Sequence, residues 1–346
     1  MEAVHLIYDY CNNFSLSIIA RKELIKLTRE LLPNKNKLPK NYDSLLKVVS
    51  QKDLNKLITI KKFCSNCDSL LNNNNECNNN ECKLKKAKVH FLYICEFSPQ
   101  FKNLLTLFIS EMHQNNYKNE PYVDINNAFH YESIKKIPNT IQITLTLCSD
   151  GVAIRNNGKS VWPVLLSINE FSPLLRSSYK TKIIGALWEG EKPKPHLLYP
   201  DLLNALRELE FFNLTINETS YAFKINLYGI LFDSPALALS LNVKQFNGYF
   251  GCPICLNPGL RPKEFRKMIY PTETYSRKDT EMYNEANAKQ GFFRRAVFCD
   301  SLSLPDSIMI DYMHVVLEGI FKDMIKIWLS RGKCLANGLL LGNKLI

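Results

Sequence analysis

The 346-residue sequence lacks any uninterrupted apolar run long enough to cross a bilayer. Its most apolar stretch, Leu227–Val243, is broken by Asp233 and Pro235, so we expect no transmembrane helix and no membrane partner. The first residues also lack the basic start and the continuous apolar segment of a secretory signal peptide. These absences predict an intracellular protein.

Acidic residues are fewer than basic ones: the chain has 33 Asp and Glu and 44 Lys and Arg, which gives a net charge of +11. A basic excess of this kind favours an anionic partner, and without an accompanying apolar segment it favours nucleic acid over a membrane surface. Hydrophobic residues make up 46% of the chain, enough for a sizeable core. The length exceeds that of a typical domain, so we expect two or more.

Disulfides are not expected in a reducing compartment, so the eleven cysteines are interpreted as metal ligands or buried thiols. Cys64 and Cys67 form a Cys-x2-Cys pair, and Cys77 and Cys82 follow as a Cys-x4-Cys pair. Two close pairs joined by a short spacer suit one tetrahedral zinc ion with four thiolate ligands. The asparagines between them form no core, so we expect the metal to order this loop. The sequence therefore predicts a zinc ribbon.

A second Cys-x2-Cys pair, Cys252 and Cys255, has no further pair at ribbon distance. Cys299, Asp311 and His314 are the ligands that could complete it. A single pair of this kind is typical both of a zinc knuckle and of a packed turn, and the sequence leaves both readings open.

Polar residues form two more patterns towards the end of the chain. Arg294 and Arg295 lie beside aromatic residues in GFFRRAVFCD, a combination that suits phosphate contact or ordinary packing. Asp311, His314 and Glu318 recur three and four residues apart, so they can share one face of a helix. The alternative is a packed helix with exposed polar residues.

Alternating apolar residues over Ile141–Leu147 predict a half-buried strand that ends at Asp150. Asn156-Asn157-Gly158 is a hairpin signal, and a second strand is expected from Val161. An acid at the end of a sheet strand can hold a divalent cation. Asp-Gly is also common in ordinary turns, so both interpretations of Asp150 stay open at this point.

Two further strands are predicted at Lys182–Trp188 and Tyr221–Phe232, with an amphipathic helix over Pro200–Leu214 between them. The last of these strands also ends at an acid, Asp233. A mixed sheet with its first and fourth strands adjacent would bring Asp150 and Asp233 together. Close carboxylates repel each other, and a shared cation is the usual resolution.

Four blocks in this order resemble the CACTA-type DNA transposases and their animal relatives. They are SDG followed by VWPVLLSINE, then FDSPA at 232–236, then GCPIC, then Asp311-Tyr312-Met313-His314 with Glu318-Gly319 just beyond. The cysteine-rich segment ahead of the first block is similar to one found in animal members. The resemblance covers residues 60 to 330, approximately, and implies a ribonuclease-H-like catalytic fold.

The resemblance implies that Asp150 and Asp233 are the first two acids of a catalytic metal set and that Asp311 and His314 form an auxiliary motif. It also implies two-metal phosphoryl transfer on DNA with Mg²⁺ or Mn²⁺, a nuclear location and self-association. The family places its third acid on a later helix, after an inserted helical region. Glu318 is the nearby carboxylate that could substitute, and we expect a truncated copy, a decayed element or a host-recruited derivative of the family.

Together these patterns predict an α/β protein: a helical N-terminal region (1–58), a zinc ribbon (59–98), a connecting segment (99–140) and a partial ribonuclease-H-like core with a Cys-x2-Cys insertion (141–346). The leading function is a transposase-like protein, with two-metal DNA cleavage and strand transfer by ancestry, that is incomplete or inactive in this chain. The alternative is a non-catalytic zinc-containing DNA-binding or adaptor protein derived from a transposase.

Overall fold

The computed structural model describes residues 2–14, 16–33, 36–45, 57–82, 88–114, 124–125, 128, 131, 134, 137–154, 158–263, 267–271 and 275–329. The chain divides into two compact units, Met1–Thr59 and Ile60–Ile346. Much of the second half of the expected connecting segment, 99–140, lies outside the described residues.

The first unit is helical in its described part, with α1 at Glu2–Asn13 and α2 at Ile18–Leu31. Ser17 caps α2, because its hydroxyl accepts a hydrogen bond from the Ala20 amide at 3.2 Å. Arg21 donates to the Tyr42 hydroxyl at 2.6 Å. A small apolar core lies beneath these contacts, made of Val4, Cys11, Ile25, Leu38, Tyr42 and Leu45.

A nine-stranded mixed sheet is the centre of the second unit. Its strands are β1 Ile58–Cys64, β2 Val89–Cys95, β3 Ile141–Ser149, β4 Val152–Ile154, β5 Lys159–Ile168, β6 Ile183–Gly190, β7 Phe211–Ile216, β8 Thr219–Phe232 and β9 Ile308–Ile310. Neighbouring strands follow the order β1-β2-β6-β5-β3-β8-β7, while β4 pairs with β5 and β9 pairs with β8.

Strand β3 lies at the point where the sheet changes direction. It pairs antiparallel with β5, where Leu145 faces Ile168, and parallel with β8, where Cys148 faces Leu231. The next pair, β8 with β9, is also parallel. The strand predicted first therefore lies beside the strand predicted fourth, as the placement of the two acids had suggested.

Helices flank the sheet: α3 Ser98–Gln114, α4 Pro173–Ser177, α5 Pro195–Leu198, α6 Pro200–Glu208, α7 Ser234–Ser240 and α8 Thr280–Asn284, followed by a π-helix at Met313–Phe321 and α9 at Lys322–Leu329. Residues 143–147 of β3 are all buried, so both faces of this strand are covered. The largest fully buried side chains among the described residues are Trp188, Tyr199, Tyr283, Phe101 and Phe171. Within the described residues, no helix has the length and apolar character needed to cross a bilayer.

The helix predicted over Pro200–Leu214 is wrong in its second half. Helix α6 ends at Glu208, and the following residues form β7, which pairs with β8 through the turn Asn217-Glu218. Both turn residues have positive φ, 47° and 66°, as a two-residue hairpin requires. Because Phe212 also stacks on Phe223 with ring centroids 5.1 Å apart, cross-strand packing outweighs the local helical pattern.

The segment 59–98, expected as a separate ribbon, also contributes β1 and β2 to the sheet. Strand β2 pairs with β6, where Leu92 faces Trp188. Leu92 is fully buried in the same core as β3. The cysteine loop thus connects two strands of the sheet. The apolar residues on either side of the loop pack into the main core.

Candidate functional site: a four-cysteine cluster and an acidic sheet edge

Four cysteine sulfurs meet between β1 and β2. The Sγ atoms of Cys64 and Cys82 are 3.8 Å apart, and those of Cys67 and Cys77 are 3.3 Å apart. All four lie within 4.8 Å of one another. Sulfurs bound tetrahedrally at about 2.3 Å from zinc are about 3.8 Å apart. The cluster therefore has the ligand type, number and spacing to hold a metal such as zinc.

Local turns produce this geometry. The Cys64 carbonyl accepts from the Asp68 amide and the Cys64 amide donates to the Ser69 carbonyl, both at 3.0 Å, which folds the first pair into a tight knuckle. Asp68 takes a positive φ of 62° to complete it. In the asparagine-rich part, the Asn72 side chain accepts from the amides of Asn74 and Glu76 at 3.0 and 2.9 Å. Side-chain turns of this kind explain why asparagine is frequent here.

The pKa values of two thiols in the cluster, Cys67 and Cys77, are shifted in opposite directions. Hydrogen bonds from Ser69 lower the pKa of Cys67 to about 6. The Asn79 amide lowers the pKa of Cys77, but pairing with the Cys67 sulfur and burial outweigh it and raise that pKa to about 12. Metal ions bind thiolates, so an ion bound here would displace the protons that these thiols hold.

Asp68 fastens the cysteine loop to the loop that follows β6. Lys194 Nζ lies 2.6 and 2.8 Å from the two Asp68 carboxylate oxygens, and His196 Nε2 lies 3.5 Å from one of them. The Ser65 amide also donates to the Lys88 carbonyl at 3.0 Å. The knuckle is therefore fixed to the sheet by an ion pair and by a backbone hydrogen bond as well as by its own turns.

Three acids lie at one edge of the sheet, each just after a parallel strand. Asp150 and Asp233 both follow by two residues the last pair between β3 and β8, Cys148 with Leu231. Asp311 follows β9, whose last pair is Ile310 with Phe232. Adjacent strands are about 4.8 Å apart, so the three acids occupy neighbouring positions along this edge.

Each of the two predicted catalytic acids makes a local hydrogen bond. Asp150 is exposed, and its Oδ1 accepts from the Gly151 amide at 2.6 Å. Asp233 caps α7, because its Oδ1 accepts from the Ala236 amide at 2.7 Å. One carboxylate oxygen of each residue makes these bonds, and within the described part of the chain the other oxygen has no hydrogen-bond or ion-pair partner.

Asp311 and His314 form a close pair. His314 Nδ1 lies 2.5 Å from Asp311 Oδ2, and the His314 amide donates to Oδ1 at 3.3 Å. The bond to Asp311 raises the pKa of His314, and the charges of Asp233 and Glu318 add to this. Burial raises the pKa of Asp311, but the bonds from His314 outweigh it and leave that pKa below its ordinary value. Glu318 itself is exposed on the π-helix.

Among the described residues, the four cysteines are the one group of three or more potential ligand atoms that all lie within 4.8 Å of one another. Asp150, Asp233, Asp311 and His314 share an edge without forming such a group. The sheet therefore places the acids at neighbouring strand ends, but within the part of the chain that the structure describes they do not form a group of three close ligand atoms.

The second knuckle is present but incomplete. Cys252 and Cys255 have Sγ atoms 3.4 Å apart, and the Cys255 amide points at Cys252 Sγ at 3.4 Å. None of Cys299, Asp311 and His314 joins them in a three-ligand group within the described part of the chain. A cation lies close by instead: Lys278 is 2% exposed and donates to the Cys252 carbonyl at 2.7 Å. Burial lowers the pKa of Lys278 to about 8.

The two predicted phosphate-contacting arginines differ. Arg295 pairs with Asp300 at 2.5 Å and with Asn284 Oδ1 at 3.1 Å. Arg294 is exposed, and no ion pair involves it among the described residues. Of the two, Arg294 has its guanidinium available to a phosphate.

The position of Asp311 beside Asp233 depends on β9, a strand of three residues. One feature of these sites has no signal in the sequence. The bond between Asp68 and Lys194 joins residues 126 positions apart, and no local pattern predicts it. Comparison with known proteins adds no further signal. No protein-family model and no curated protein matches the chain.

Proposed function

We propose that the chain is a transposase-like DNA-binding protein with a ribonuclease-H-like core, in which Asp150 and Asp233 serve as the ligands of catalytic divalent cations. The observation that carries this proposal is the parallel pairing of β3 with β8, which ends both strands at one level just before the two acids. The mixed sheet with its first strand beside its fourth supports the same fold.

The donor set supports Mg²⁺ or Mn²⁺ rather than a soft metal, because the edge offers carboxylate oxygens. Magnesium is commonly held by one or two carboxylates together with substrate phosphates. DNA phosphates would thus supply the ligands that the protein lacks at this edge. Ions bound there would activate water or a DNA 3′-hydroxyl and stabilise the leaving oxygen.

The residues of the chain act mainly by holding charge in place. The cap that Asp233 makes on α7 fixes its carboxylate at the helix start. His314 Nδ1 donates to the Asp311 carboxylate, so His314 Nε2 is the ring nitrogen available to DNA or water. We propose that this pair orients the DNA strand beside the two acids.

We assign zinc in the four-cysteine cluster a structural role. The cluster lies between β1 and β2 and is tied to the sheet by Asp68, so a bound metal would stabilise that side of the sheet. DNA as partner, a nuclear location and self-association are further parts of the same proposal.

Nicking of supercoiled plasmid in Mg²⁺ or Mn²⁺ tests the catalytic part. We expect Asp150→Asn and Asp233→Asn to abolish nicking while DNA affinity is retained. Asparagine is as good a helix cap as aspartate, so Asp233→Asn removes charge without removing the cap. Asp279→Asn is the matched control, because Asp279 caps α8 through the Met282 amide at 3.0 Å and does not lie on the acidic edge.

The second candidate is a non-catalytic zinc-containing DNA-binding protein. It is favoured by the absence, among the described residues, of a three-ligand group at the acidic edge. Its signature is DNA binding with a steep salt dependence and no nicking in either cation. In that case Asp150→Asn would leave every measured property unchanged. Metal-dependent nicking that is lost in Asp150→Asn would exclude this candidate.

A further inference from the structure

A cleft of about 400 Å³ lies beside the end of α7. Its apolar floor includes Ala238, Leu239 and Val243. Its walls carry two lysines, three amide side chains and one aromatic ring, from Lys192, Lys244, Asn242, Gln245, Asn247 and Phe293. None of the described residues that line the cleft is acidic. A concave site with this lining suits an anionic ligand that also has a flat apolar part.

Backbone hydrogen bonds hold the walls of the cleft. The Lys244 amide donates to the Gly291 carbonyl and the Phe293 amide donates to the Asn242 carbonyl, both at 2.8 Å. The Asn242 side chain adds a bond to the Arg295 carbonyl at 3.1 Å. Two chain segments that are distant in sequence are thus bonded together, and they hold Lys244 and Phe293 on one surface.

Aromatic rings are unusually exposed here. Phe293 is 57% exposed, Phe246 55% and Tyr249 52%. Large aromatic side chains stabilise a fold chiefly by burial, so three exposed rings on two adjoining loops contribute little to the core. Arg294, next to Phe293, is exposed as well. Exposed rings interleaved with cations are typical of surfaces that bind single-stranded nucleic acid.

A second, smaller cavity of about 50 Å³ extends the cleft towards the acidic edge. It shares Ala238, Val243 and Lys244 with the cleft, and it is also lined by Ser234, the residue after Asp233. Since α7 rises about 1.5 Å per residue, the end of the helix at the cleft is about 10 Å from Asp233. Because they share these lining residues, the two cavities adjoin each other beside α7, and together they are called the groove below.

We propose that this groove binds the single-stranded segment of a DNA substrate next to its point of cleavage, with a base stacked on Phe293 and phosphates on Lys244 and Lys192. In a duplex the faces of the bases are covered by neighbouring base pairs, so only an unpaired base can stack on an exposed ring. The proposal rests on the DNA-binding function proposed above and assigns that function a specific surface.

Binding of a fluorescein-labelled twelve-nucleotide oligo(dT) to the full chain, measured by fluorescence anisotropy, tests the groove. Loss of a stacking ring in Phe293→Ala is expected to weaken binding about tenfold. Lys244→Ala is expected to weaken binding and to reduce the slope of log affinity against log salt by about 0.7. Phe211→Ala and Lys102→Ala are matched controls, because Phe211 is 58% exposed on β7 and Lys102 is exposed on α3.

A twelve-base-pair duplex separates stacking from general charge attraction, because its affinity should be the same for Phe293→Ala and the unmodified chain. If the unmodified chain binds no DNA of either kind, the proposed function itself fails. If it binds oligo(dT) but Phe293→Ala and Lys244→Ala bind with the same affinity, the groove is overturned and the function stands. Phe293→Leu keeps an apolar side chain and removes the ring, so it replaces the alanine variant if that variant unfolds.

Discussion

The indole of Trp162 lies against the α-carbon of Gly151, so that a β-carbon there would be 2.3 Å from Trp162 Cε2. Trp162 is held in this position by its buried ring and by a hydrogen bond from Nε1 to Ser160 Oγ at 2.9 Å. The glycine is thus required by packing. It lets the chain turn directly after Asp150 and keeps that carboxylate at the end of β3.

Gly151→Ala should therefore destabilise the second unit by about 1–3 kcal/mol, the usual cost of overpacking, and should displace Asp150. Urea unfolding followed by tryptophan fluorescence measures the loss. Gly248→Ala is the control, because a β-carbon there would meet nothing closer than 3.5 Å, and we expect a change within about 0.5 kcal/mol. Equal stability of the two variants would contradict the packing argument.

The pair of Asp311 and His314 should make stability depend on pH in a defined window. The pKa of His314 is raised above 6.5, so its contribution is complete below pH 6.5 and is lost as the pH rises through the raised value. The pKa of Asp311 is lowered below 3.8, so its contribution is present above pH 3.8 and is lost as the pH falls through the lowered value. The stabilisation that the pair of Asp311 and His314 gives to the fold is therefore greatest between pH 3.8 and pH 6.5.

Asp311→Asn should consequently lower the Tm more at pH 5.5 than at pH 9. A thermal unfolding series of the unmodified chain and this variant across that range is the measurement. The expected difference is small, since the His314 side chain is 34% exposed. A direct readout is the titration of the His314 ring by NMR, assigned with His314→Gln. A midpoint at or below 6.5 in the unmodified chain would refute the pairing.

Much of the sheet could be predicted because its central strands carry strong local patterns. Alternation identified β3, a long apolar run identified β8, and the acids after them indicated that the two are neighbours. The strands at the edges of the sheet are harder to predict from the sequence. Strand β7 follows α6 directly and continues its apolar pattern, so only the pairing of Phe212 with Phe223 distinguishes it from helix.

The cysteine cluster could be predicted as a ligand set because metal spacing is a local property of the sequence. Its attachment to the sheet through Lys194 could not, because that bond depends on the tertiary fold. The groove beside α7 was also beyond local patterns. It exists because residues 242–244 are bonded to residues 291–293, and pairings between distant loops have no periodic signal.

Metal analysis distinguishes the two cysteine sites. The purified chain should contain one zinc, and Cys64→Ser and Cys77→Ser should each lose it, because three thiolates and one serine hydroxyl hold zinc poorly. Cys252→Ser should retain the metal, since its site has two sulfurs and no third ligand among the described residues. Plasma mass spectrometry of the four proteins is the measurement. Two zinc ions in the unmodified chain, reduced to one in Cys252→Ser, would show that the second knuckle is a metal site.

Lys278 should give the protein a second pH dependence, of opposite sign to that of His314 near neutrality. Its side chain is 2% exposed, with Nζ bonded to the Cys252 carbonyl and 4.5 Å from the centre of the Phe292 ring. Burial lowers its pKa from 10.5 to about 8. The unfolded chain therefore binds more protons than the folded chain between pH 8 and 10.5, and stability contributed by this group rises with pH across that range.

The difference in unfolding free energy between the unmodified chain and Lys278→Met isolates this contribution. It should shift in favour of the unmodified chain by up to about 3 kcal/mol between pH 8 and 10.5, as measured by urea unfolding at fixed ionic strength. Methionine keeps the length of the buried chain and removes the charge. Lys102→Met, at an exposed position on α3, controls for charge alone and should show no such trend. A difference that does not vary with pH would mean that Lys278 is solvated in the folded protein.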